Sequence, residues 1–123
     1  AAVFQEDRLC PQLTALENVR LAAARKKERE AREMLARLGL SDSLAVPAAE
    51  LSGGMRRRCA LARALCADFS LLALDEPFKG LDEANRRAAM DAVRDFSHDK
   101  TVLFVTHDAA EAGFFGGNAL SVP

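Results

Sequence analysis

The stretch Leu51-Ser52-Gly53-Gly54-Met55 is the most specific chemical signal in this sequence. A serine followed by two glycines at a helix start leaves several backbone amides uncovered by side chains. The helix dipole adds about half a positive charge at that end, which suits it to an anion such as a phosphate. Arg56, Arg57 and Arg58 come next. Three consecutive positions cannot share one helix face, so most of this triplet reads as solvent-facing or structural, with phosphate contact open to the rest. A second set of polar residues stands where apolar runs end. Asp75 and Glu76 close one run, His107 closes another, and Gln5 follows Ala2-Val3-Phe4. Taken singly, each has an ordinary explanation as a solvated strand end, a loop histidine or a capped helix. Their value depends on whether the runs lie side by side.

The elements that must position these residues are legible from pattern. Thr14-Ala15-Leu16-Glu17 fits a capping box, so a helix starts there and carries Leu16, Val19 and Leu21 inward. The charged run 25–32 reads as a solvated helical face or a break between helices. Met34, Leu35 and Leu38 keep helical spacing over residues 31–38, and Gly39 is a natural stop. Residues 41–50, with Pro47, read as a connecting loop. Ser52 caps a helix over residues 53–67. Residues 69–74 and 101–105 are short apolar runs, which suit strands buried on both faces. Between them Asp82 caps a helix over residues 83–97. Strand, helix, strand in this order implies a parallel crossover. Parallel strands place their carboxyl ends along one edge, where open α/β sheets bind ligands. Asp75, Glu76, His107 and, if residues 2–4 form a third strand, Gln5 then share that edge. The expected fold is α/β: a helical first half, then a βαβ parallel-sheet core.

Length and composition bound the rest. The 123 residues hold one small domain or part of a larger one. The sequence has no Trp, Tyr or Ile, so Leu, Val and seven Phe must build the core, and a chain this short buries only roughly two-thirds of its unfolded surface. Seventeen basic and eighteen acidic residues leave a net charge of −1, which argues against a dedicated nucleic-acid binder. No run approaches the roughly 18 apolar residues that would span a bilayer. The start lacks an initiating Met and the features of a signal peptide, so the sequence reads as an excised or truncated piece. Cys10, Cys59 and Cys66 have neither metal-ligand nor redox-pair spacing and read as buried or free thiols of a reducing cytosol. Residues 113–123 and His98 carry no functional signal.

These motifs resemble those of ATP-binding-cassette (ABC) ATPases, in the family's order and over essentially the whole length. Val3-Phe4-Gln5-Glu6-Asp7-Arg8-Leu9 resembles the Q-loop, and Leu51-Ser52-Gly53-Gly54-Met55 the signature, with Met55 where glutamine is more usual. Leu71-Leu72-Ala73-Leu74-Asp75-Glu76 resembles Walker B, Gly80-Leu81-Asp82 the D-loop, and Val105-Thr106-His107-Asp108 the H-loop. The surroundings of Gln5, continuing into residues 13–19, look most like importer ATPases of the nitrate, sulfonate and taurine type. The resemblance implies a partial P-loop NTPase-like fold: residues 1–5 a stub of the catalytic core, 6–67 a helical subdomain, and 68–123 the distal core. It implies that Asp75 holds Mg²⁺, directly or through water, that Glu76 is the general base or orients the attacking water, that His107 contacts the γ-phosphate of ATP, and that Gln5 touches the metal or water. Ser52, Gly53 and Gly54 would take the nucleotide of the opposite subunit, and Asp82 would work across the same interface. The implied partners are a second ATP-binding subunit in a head-to-tail homodimer, a transmembrane permease subunit and a solute-binding protein, without nucleic acid. The implied location is cytoplasmic, peripheral on the inner face of the cell membrane.

The phosphate-cradling GxxxxGK[ST] pattern does not occur in these residues, and no Gly-Lys pair exists anywhere in them. The chain alone is therefore expected to be inactive and, with exposed sheet edges and an uncovered apolar face, to show self-association, strand exchange or partial disorder near residues 1–12. A degenerate cassette serving as a non-catalytic interaction module is the alternative. A chromosome-maintenance ATPase head would need long coiled coils between Gln5 and Leu51, and the 45 residues there carry no sustained heptads.

Overall fold

A computed structural model describes residues 1–23, 28–118 and 120. The order is β1 (Ala2–Val3), α1 (Ala15–Ala22), α2 (Glu28–Arg37), α3 (Gly53–Cys66), β2 (Leu71–Asp75), α4 (Glu83–Phe96), β3 (Thr101–Val105) and α5 (Ala109–Phe115). The strands form one parallel sheet in the order β1-β2-β3, with Val3 beside Leu74 and Asp75 beside Val105. The chain is thus an α/β protein whose helical first half packs against a βαβ unit.

Local chemistry explains the starts and stops. At α1 both halves of the capping box form: the Glu17 amide donates to the Thr14 hydroxyl at 3.1 Å, and the Thr14 amide donates to Glu17 at 2.8 Å. Ser52 and Asp82 cap α3 and α4 by accepting the amides of Met55 and Asn85. Gly39 ends the segment after α2 with φ +79°, a backbone that only glycine adopts cheaply. A Cβ there would stand 3.0 Å from the Arg58 guanidinium, so the turn and the close approach both demand glycine.

Several expectations are corrected. Leu21 is 59% exposed rather than inward. Two positions beyond Val19 it has turned about 200° around the helix, and the polar Asn18 is instead fully buried there, alongside Ala15 and Val19. Its amide group donates to the carbonyls of Cys10, Leu13 and Thr14 and accepts the Cys10 amide, tying the preceding loop to α1. Residues 41–50 are not plain loop but carry two 3₁₀ turns, Ser41–Ser43 and Ala48–Glu50. Of the charged run 25–32, residues 28–32 belong to α2, and 25–27 lie outside the described residues. A fifth helix, α5, follows the Val105-Thr106-His107-Asp108 stretch, and its last three residues open the segment 113–123.

The sheet is covered on one face only. Val3, Leu72 and Leu74 are buried and Val102 and Phe104 half-buried on one side, where Phe78 and Phe115 join them. The other side presents Leu71, Leu103 and Val105, each at least 47% exposed. Apolar runs that read as strands buried on both faces therefore bury one. Phe78 holds the covered side together, its ring 5.8 Å from Phe104 and 6.1 Å from Phe115. Phe78→Ala is expected to cost about 3–5 kcal/mol, seen as an early, low denaturant midpoint. Leu103→Ala, at an exposed position, should shift it by about 0.5 kcal/mol or less.

Candidate functional site

Three strand ends converge on one sheet edge. Asp75 is the last residue of β2, Glu76 follows it, and the Glu76 amide donates to the Val105 carbonyl at 2.9 Å, closing β2 against β3. That closure turns the backbone of Glu76 into the left-handed region, φ +47°, which costs a non-glycine residue about 1–2 kcal/mol. The turn points the Glu76 carboxylate along the edge toward β3. Its Oε1 accepts the His107 amide at 3.1 Å and lies 3.3 Å from His107 Nε2. The Glu76 side chain is 13% exposed and that of His107 97%. A shielded carboxylate thus faces an imidazole that reaches into solvent.

Gln5 lies beyond β1 at the same edge, on a segment held from α3. Arg57 donates to the carbonyls of Phe4 at 2.8 Å and Gln5 at 2.7 Å, and Arg63 to those of Asp7 and Arg8. Arg56 and Arg58 likewise hold carbonyls, of Leu51 and Leu38. The arginine triplet is therefore structural, with partners distant in sequence for Arg57 and Arg58 and five residues back for Arg56. An open cleft of about 430 Å³ separates Gln5 from the start of α3, lined also by Gly53, Gly54, Arg57, Lys79 and Gly80. Ser52 and Gly53 are exposed at that helix start. Gly54 comes within van der Waals reach of the loop before α4: a Cβ on it would stand 3.6 Å from Leu81 and 3.9 Å from the Gly80 carbonyl. Asp82 caps α4 just beyond. Glu76 and His107 touch directly; Gln5, Gly53 and Gly54 share the neighbouring cleft.

Asp7 also lines the cleft. Its Oδ1 is buried without a hydrogen bond and stands 3.5 Å from Arg57 Nε. Burial pushes the carboxyl above the ordinary 3.8, outweighing the attraction of Arg57, Arg56 and Arg63. A raised acid costs the fold nothing extra while protonated in both states, and its penalty grows as pH rises through the raised value. Asp7→Asn should therefore gain stability relative to the parent chain between pH 3 and pH 6. Parallel denaturation curves at the two pH values check this; a gap that narrows with pH would contradict it. Burial pushes the Cys59 thiol as well, up to about 11, which fits an inert core cysteine.

Pattern reading missed Asn85, Arg86 and Glu111. Asn85 accepts Arg58 at 3.1 Å and donates to Asp82 at 3.0 Å, joining α3 to the cap of α4. Glu111 is 6% exposed and accepts Arg86 at 3.0 Å. A signal for it existed: Asp108 followed three residues later by Glu111 has capping-box spacing.

A family profile described as ABC transporter matches residues 1–79. The chain belongs to the ABC transporter family. Among its relatives, the aliphatic sulfonates import ATP-binding protein SsuB 2 of Agrobacterium fabrum is 40% identical, over 96% of this chain and 46% of its own length. The taurine import ATP-binding protein TauB of Rhizobium johnstonii is 39% identical, over 96% and 48%. The lipoprotein-releasing system ATP-binding protein LolD 1 of Caulobacter vibrioides is 40% identical, over 93% and 53%. The dimeric structure of MJ0796, a bacterial ABC transporter cassette, superposes with a TM-score of 0.81 at 34% identity, covering 92% of this chain and 54% of that one. A post-hydrolysis state of the same cassette bound to ADP and Pi matches equally. This ABC chain spans about half the length of the curated relatives it matches, and the sulfonate and taurine importers among them are of the type its Q-loop region resembles.

Proposed function

We propose that this chain is the signature- and switch-bearing portion of an ABC transporter ATP-binding subunit, which binds and hydrolyses ATP to drive solute transport across a membrane. The observation that carries the reading is the contact of Glu76 with His107 at the edge that Asp75 also reaches. Residues 1–5 are the catalytic-core stub, 6–67 the helical subdomain and 68–123 the distal core. Glu76 is the general base: its carboxylate is shielded, and the His107 amide fixes one oxygen while the other is left to orient a water. His107, with its ring in solvent, reaches the γ-phosphate. Asp75 and Gln5 would hold Mg²⁺. The donor set fits that ion, because magnesium is commonly held by one or two carboxylates with waters and phosphate oxygens completing its shell. When bound, the ion neutralises phosphate charge. Ser52, Gly53 and Gly54, the first two exposed, offer the start of α3 to a nucleotide on the opposite subunit, and Asp82 works beside them.

The partners in this reading are a second ATP-binding subunit, head to tail, a permease subunit and a solute-binding protein. Among the described residues no helix is long and apolar enough to cross a membrane; the proposed place is the cytoplasmic face, against the permease. The gene sequence upstream of Ala1 tests the proposal. An in-frame GxxxxGK[ST] segment supports it, and a start codon directly before Ala1 supports the non-catalytic module instead.

A further inference from the structure

The His107 side chain is 97% exposed, so no packing orients it. Beyond the contacts of its amide and Nε2 with Glu76, its aim depends on the backbone of its neighbours, Thr106 and Asp108. Asp108 is tied directly, and Thr106 through Glu111, to one side chain on α4. Arg86 donates through one terminal nitrogen to Asp108 Oδ2 at 3.2 Å and through Nε to Glu111 Oε1 at 3.0 Å. The other oxygen of Glu111 accepts the Thr106 hydroxyl at 2.6 Å, and that hydroxyl in turn accepts the Asp108 amide at 3.0 Å. Asp108 also caps α5 through Oδ1, which accepts the amides of Ala110 and Glu111. The remaining Arg86 nitrogen reaches Glu83, whose side chain is 85% exposed. The fork of the guanidinium is what lets one residue span two carboxylates. A lysine has a single charged centre and cannot hold both.

We propose that Arg86 is the positioning residue for His107, acting through Asp108 on one side and through the buried Glu111 and Thr106 on the other. Its purpose rests on the proposed role of His107 toward the γ-phosphate; its geometry does not. The preceding residue, Asn85, faces Arg58 on α3, so a single turn of α4 is anchored to the start of α3 and to the His107 loop at once.

The test is made on the chain itself without nucleotide. Backbone amide relaxation should give order parameters near about 0.85 at Thr106, His107 and Asp108 in the parent chain, falling below about 0.6 in R86Q. R86K should not restore them, whereas E83Q should leave them at parental values. The chain has two histidines, and in R86Q the His107 ring resonances should move while those of His98 stay. Leu61 and Leu65 of α3, both buried, report global integrity and should keep parental values. Where R86Q and R86K fail to fold, E111Q carries the same expectation. Unchanged order at residues 106–108 in a folded R86Q would overturn the proposal, as would a uniform loosening that includes Leu61, Leu65 and His98. A His107→Ala cassette with normal turnover would sink the γ-phosphate role and leave this positioning result untouched.

Discussion

Glutamine in place of Glu76 should abolish ATP turnover in a cassette that joins this chain to a GxxxxGK[ST] segment, and should leave nucleotide binding intact. The two side chains have nearly the same shape, and the glutamine carbonyl can still accept the His107 amide, so the contact at the sheet edge survives. What is lost is the charge that takes a proton from water. General-base catalysis contributes about 10²–10⁴ in rate, and a loss of that size takes turnover to background in a steady-state phosphate-release assay. Binding, followed by titration with ATP and Mg²⁺, should change little because the carboxylate makes its contribution in the transition state. Normal turnover in the variant would remove Glu76 from the mechanism.

Calorimetric titration of the 123-residue chain with MgATP should show only millimolar affinity or none. The groups that cradle the β- and γ-phosphates in cassette ATPases, namely the loop amides, a lysine and a metal-binding hydroxyl, have no counterpart in its sequence. Charge-assisted hydrogen bonds contribute about 1.5–3 kcal/mol each, so losing three costs about 5 kcal/mol or more, a weakening of several thousandfold. The cations nearby do not replace them. Arg57 is committed to the carbonyls of Phe4 and Gln5, which leaves Lys79 as the exposed charge on the cleft wall. A micromolar dissociation constant would show that the cleft between Gln5 and Gly54 binds nucleotide by itself.

What pattern could predict was whatever local chemistry dictates. Thr14, Ser52 and Asp82 cap their helices because a short oxygen-bearing side chain is followed by helix formers, and Gly39 stops its helix because the turn needs a positive φ. The parallel sheet was readable because two apolar runs separated by a helix have few other ways to pair. Strand limits moved by a residue or two: β2 starts at Leu71, and Asp75 lies inside it rather than after it. Burial was less legible. Leu21 faces solvent and Asn18 the interior because burial follows angle around the helix and the carbonyls of an adjacent loop, not residue type. The groups least visible in advance, Arg57, Asn85, Arg86 and Glu111, work by hydrogen bonds to partners more than 20 residues away. No periodicity marks such partners; only the folded chain brings them together.

The left-handed backbone at position 76 sets thermodynamics against use. Glycine would sit there with less strain, so a lineage that kept only the scaffold would have something to gain by discarding the acid. An arm that had become purely adhesive would be free to make that exchange, whereas this polypeptide still carries glutamate at an uncomfortable turn.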